Sequence, residues 1–68
     1  MRHPKFQIIQ VEEVSKAVSK KVVSKELMFK CDAERVVNYK NAHDAIIRED
    51  YRLYWYIQEY QKNSKNEQ

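Results

Sequence analysis

A chain of 68 residues with a single cysteine, Cys31, is one domain or part of one and has no intrachain disulfide. Its 13 lysines and arginines against 10 acids leave a net charge of +3, which permits a nucleic-acid partner without demanding one. The absence of a Gly-rich phosphate loop, a nucleophile elbow and any metal-ligand spacing argues against an enzyme, a bound metal or a cofactor.

So short a chain buries only about 60% of its unfolded surface, and small folds make up the difference with disulfides, metals or a partner chain. With the first two excluded, self-association, most simply a homodimer, is expected. No apolar run approaches the roughly 18 residues of a membrane span, and no apolar segment follows the polar N-terminus as in a signal peptide. With a lone cysteine, this points to an intracellular, cytoplasmic protein. A hydrophobic content of 43% suffices for a packed core. The polar ends, residues 1–5 and 62–68, are expected to fray.

The sequence has no Gly and one Pro, Pro4, so the usual makers of tight hairpins are missing and strand-rich folds start at a disadvantage. Residues 6–11 are short and β-branched, and fit either a strand or the lead-in to a first helix. Val11, Val14 and Val18 recur at helical spacing, with Glu12 and Glu13 where a helix dipole favours acids. Val-Ser-Lys occurs at Val14, Val18 and Val23, and the change of spacing moves Val23, Leu27 and Cys31 to a new stripe. Either one helix is buried on two sides, or it breaks near Ser19 to Lys21 into two short helices, roughly 11–20 and 22–31. Asp32 suits an N-cap for a third helix over 33–40, burying Val36 and Val37. Asn41, with Asp44 three positions on, resembles a capping box for the longest helix, 42–62, whose stripe is Ile46, Leu53, Ile57 and Tyr60. Residues 51–57 also alternate with a period of two and are rich in aromatics, as a strand would be. The capping at Asn41 and the continuous stripe decide for helix. The expectation is an all-α bundle of three to four helices with a long C-terminal amphipathic helix.

Three constellations carry functional readings. Lys16, Lys20, Lys21, Lys25 and Lys30 cluster against a single acid, Glu26, and the interleaved serines can also donate to phosphates. The plain alternative is a solvated helix face. Leu27, Cys31 and Val37 sit at helix-turn-helix-like positions, which would turn Ala33, Glu34, Arg35 and Asn38 toward a DNA major groove. Against this, the turn lacks Gly, and Asp32 stands where an apolar residue belongs. Finally, Arg48, Tyr51, Arg52, Trp55 and Lys62 lie opposite the apolar stripe of the last helix. Tyr51 and Trp55 would form an exposed ledge, and Arg52 and Tyr56 a cation–π pair. That is the composition of a binding hot spot, unless a core wraps the helix on both sides. His3 and His43 have no metal-spaced partners, and Cys31 reads as a small packing residue.

Two functions are therefore expected. One is a small dimeric nucleic-acid-binding regulator of DNA or RNA, with phosphate contacts from Lys16, Lys20, Lys21 and Lys25 and base contacts from Arg35 and Asn38. The other is a protein-interaction module (adaptor, inhibitor or antitoxin-like) working through Arg48, Tyr51, Arg52, Trp55 and Tyr56, a face that would also serve a homodimer.

Overall fold

Alternation, not helical periodicity, governs both ends of this chain. In the computed structural model, which describes residues 3–61, strands β1 (Phe6–Val14) and β2 (Ala17–Val22) precede helix α1 (Lys30–His43), followed by strands β3 (Ile46–Ile47) and β4 (Tyr51–Glu59). The strands form one antiparallel sheet in the order β2-β1-β4-β3, so the first and last strands are central neighbours. Among the described residues the fold is one sheet with a single helix, which overturns the expected all-α bundle. It also removes the helix-turn-helix-like arrangement, because Leu27 lies in an irregular segment before the one helix. The fraying expected over 62–68, and the end of the long helix at Lys62, lie outside the described residues. Lys5, within the other end expected to fray, is tied in: its N–H donates to Met28 O (3.1 Å) and its carbonyl accepts from Tyr60 N (2.6 Å).

The expected helix over 11–20 fails at Ser15. This residue takes φ 56°, and Val14 pairs with Ala17 across a two-residue loop. A positive φ at the first loop position is the feature of a type II′ hairpin turn, usually supplied by Gly. Here Ser supplies it, at a cost of about 1–2 kcal/mol for a left-handed non-Gly residue. The Ser15 N–H is satisfied by Asp50 O at 2.8 Å. The three Val-Ser-Lys copies take three different structures: the turn, the middle of β2, and the segment after β2. In the last of these, Ser24 Oγ accepts from Ile8 N at 3.1 Å and continues the outer side of β1 past the end of β2.

The expected helix over 42–62 fails because residues 51–59 satisfy a period of two on both faces. Tyr51, Leu53, Trp55 and Ile57 lie on the side of the helix, and Arg52, Tyr54, Tyr56 and Gln58 on the other. A strand between two neighbours buries aromatic and β-branched side chains on each face, which outweighs a stripe that is helical by coincidence. The expected helix 33–40 lies within α1. Its start has no side-chain cap at Phe29; Asp32 sits in the first turn and Lys40 and His43 in the last, each matching the helix dipole.

Helix α1 turns Ala33 and Val37 onto β1 and β4, where they pack with Ile8 and Trp55. Phe6, Met28, Val36, Ala45, Leu53 and Ile57 surround this core. Trp55 is 6% exposed. Aromatic side chains of this kind bury roughly 150–250 Å², contributing about 4–6 kcal/mol at ~25 cal/mol per Å². Trp55 is therefore a core residue, and the exposed Tyr51–Trp55 ledge does not exist. Among the described residues the helix makes no contact with β2, all of whose residues are exposed.

Candidate functional site

The helix covers one face of the sheet, and among the described residues nothing covers the other. Strand register sets its layout in rows. Tyr56, Ile9 and Val22 lie side by side across β4, β1 and β2; Tyr54, Val11 and Lys20 form the next row; Arg52, Glu13 and Val18 the third. Ile47 stands beside Arg52 on β3. The β1 residues in the middle are buried without any helix over them: Val11 is 1% exposed, and Ile9 is buried as well. Their flanking tyrosines, the Lys20 stem and Val22 are what shield them. At the margins, Val18, Val22 and Ile47 are more than half exposed.

Polar contacts hold the centre of this face. Tyr54 Oη donates to Glu13 Oε2 at 3.0 Å, and Arg52 lies 3.7 Å from the other oxygen of the same carboxylate. The hydrogen bond to Glu13 raises the Tyr54 pKa above 10.0, with burial and the Glu13 charge adding to it. One carboxylate thus serves both groups and fixes the tyrosine's tilt. Lys20 Nζ sits 5.8 Å from the Tyr56 ring centroid, a cation–π arrangement. Beside it, Ile9, Lys20, Lys21, Val22, Tyr56 and Gln58 line a shallow depression of about 290 Å³. Among the described residues no carboxylate lies within ion-pair distance of Lys16, Lys20, Lys21 or Lys25, so lysines predominate along this margin, with Glu12 the acid nearest to it on β1.

The residues singled out in the sequence are dispersed differently from expectation. Lys16 is in the hairpin turn, Lys20 on the open face, Lys21 on the opposite face of β2, and Lys25 in the segment after it. Arg35 and Asn38 are exposed on α1, so the sheet separates them from Lys20. Arg48 is in the β3–β4 connection, its N–H donating to Tyr51 O at 2.8 Å. Tyr51 lies on the helix side of the sheet, where its hydroxyl donates to Glu12 at 2.9 Å. Arg52 and Tyr56 share the open face, but four positions along a strand are too far apart for the cation–π pair expected on a helix. The cations Tyr56 and Trp55 find are instead Lys20 and, at 5.3 Å, Lys40. Tyr54, Ile9, Val11, Val18 and Val22 were not part of any expected site. The alternation of Arg52, Tyr54, Tyr56 and Gln58 is the signal that places Tyr54 there.

No protein family, curated protein or solved structure matches the chain in comparison. No described helix is long and apolar enough to cross a membrane.

Proposed function

We propose that the open face of the sheet binds single-stranded nucleic acid. The observation that carries this reading is the pair of tyrosines, Tyr54 and Tyr56, at successive same-face positions of a central strand, beside Lys20 and Arg52. Successive same-face positions on a strand present π-surfaces to successive unstacked bases, the device of sheet-based single-strand binders. Lys20 is placed to meet a phosphate next to a base on Tyr56, and Lys16, Lys21 and Lys25 extend the positive field along the margin. A duplex hides the base faces that tyrosines stack upon, so single strands are the favoured ligand. Arg35 and Asn38 have no part in this reading, because they face away from the tyrosines.

The test is fluorescence anisotropy with labelled oligo(dT), oligo(U) and a duplex of equal length, at low and moderate salt. The single strands are expected to bind and the duplex to bind more weakly, with affinity falling as salt rises. Lys20→Gln is expected to lower the salt slope by about 0.7. Tyr56→Ala is expected to cost about 1–3 kcal/mol of binding. No binding at low salt overturns the reading. So does a dimer that buries Val18, Val22 and Ile47 and is indifferent to oligonucleotides.

A further inference from the structure

We infer that the outer edge of β2 is a docking site for an extended acidic peptide, which adds to the sheet as a fifth strand. In an antiparallel ladder, alternate residues turn their backbone N–H and C=O toward the neighbouring strand. Val23 N donates to Ile8 O at 3.0 Å, which fixes the phase of the β1–β2 ladder. Ala17, Ser19 and Lys21 therefore bond to β1, and Val18, Lys20 and Val22 turn their backbone groups outward. Nothing among the described residues covers them, and β2 contains neither proline nor bulge.

On the opposite side of the sheet, the outward groups of β4 are occupied as far as Trp55. There β3 pairs with Leu53 and Arg52, and the Asn41 side chain occupies both backbone groups of Trp55. The long free edge among the described residues is β2, the kind of edge on which strand addition operates.

Charge selects the occupant. Lys20 and Lys21 lie on β2, Lys16 just before it and Lys25 just after it, and the strand has no carboxylate. A second copy is disfavoured by the same residues. Pairing about Lys20 sets that lysine directly opposite its own equivalent, and other registers still gather the lysines of both copies along one seam. A strand with acids opposite Lys20 and Lys21 and β-branched residues opposite Val18 and Val22 meets the edge with opposite charge and matched shape. This site is the edge, not the tyrosine face, and so goes beyond the proposed nucleic-acid function.

The experiment titrates isotope-labelled protein with an acetylated peptide containing Val-Glu-Glu-Thr-Val, and with its Val-Lys-Lys-Thr-Val counterpart. Amide shifts and exchange protection are expected at Val18, Lys20 and Val22, with Ala17, Ser19 and Lys21 little changed. The lysine peptide is expected to bind at least about tenfold more weakly. Val18→Pro, which removes one outward donor, is expected to abolish peptide binding, with Trp55 fluorescence reporting that the fold is intact. Tyr54→Ala, at a tyrosine whose hydroxyl bonds to Glu13 on β1 and not to β2, is expected to leave peptide binding unchanged, which separates this result from the outcome at the tyrosine face. Protection without alternation, equal binding of the two peptides, or edge pairing by the protein alone would overturn the inference.

Discussion

The side-chain amide of Asn41 acts as a strand for Trp55: its Oδ1 accepts from Trp55 N–H at 3.0 Å and its Nδ2 donates to Trp55 O at 2.9 Å. Trp55 needs this because β3 is only two residues long and ends before reaching it. One residue in the last turn of α1 thus completes the ladder of a central strand and anchors the helix to the sheet beside the largest core side chain.

Asn41→Ala leaves a backbone donor and acceptor of Trp55 without their partners, and should cost about 1–3 kcal/mol. Urea unfolding should show a lower midpoint with an unchanged slope. Asn41→Asp keeps the acceptor but sets a carboxylate against a carbonyl oxygen, so it should not restore stability. A wild-type midpoint for either variant would remove the strand-surrogate role.

Ser15 holds φ 56° in the hairpin loop. Ser15→Gly relieves about 1–2 kcal/mol of left-handed strain but loses about 0.5–1 kcal/mol to unfolded-state entropy, leaving a gain of up to about 1.5 kcal/mol. Ser15→Val should destabilise, because β-branching is least tolerated at positive φ. Thermal unfolding should rank the three as Gly, Ser, Val from highest midpoint to lowest; any other order contradicts the turn geometry.

Tyr51 and Tyr54 each donate to a glutamate, and both pKa values are raised above 10.0, first by that hydrogen bond and then by burial and the carboxylate charge. A folded pKa above the unfolded one gives stability that is complete below about pH 10 and is lost as pH rises through the raised values. Ultraviolet titration of the phenols should place both above 10.0, and Glu12→Gln should bring Tyr51 back toward it. An unchanged titration curve in that variant would show that the Glu12 contact is not made in solution.

Lys20→Val removes the central charge from the free edge and creates an unbroken Val row with Val18 and Val22 on the open face. Concentration-dependent association should follow, since edge lysines guard against strand-to-strand pairing. Sedimentation of wild type and variant over a range of concentrations tests this, and a variant no more associated than wild type denies Lys20 that guarding role.

The residues that could be read correctly are those whose local signal had no rival. Ala33, Val36 and Val37 belong to a helix in both sequence and structure. Residues 6–11 and 51–57 carried a strand signal, but it competed with helical spacings that arise by chance when Val and Ile are frequent. The decisive fact was non-local: β1 and β4 pair with each other, so each has apolar neighbours on both faces. The missing Gly misled for a related reason, because Ser15 tolerates the positive φ that Gly would have supplied at less cost. Of the candidate face, the sequence points to Lys20 in one group and to Arg52 and Tyr56 in another, since nothing short of the register brings β2 beside β1 and β1 beside β4. Arg35 and Asn38 owe their candidacy to a helix-turn-helix-like spacing, and the fold contains no such arrangement among the described residues.

The pairing of β1 with β4 also governs when this protein can form. Its two middle strands come from opposite ends of the described chain, and every core residue packs on one or both of them. The β1–β2 hairpin can close early, but it has neither helix nor β4 to cover Ile8. A ribosome-bound chain lacking β4 therefore has no stable sheet, and folding must wait for the last strand to emerge. Non-local pairing of this kind slows folding and leaves the Ile8–Val11 segment uncovered until β4 is available.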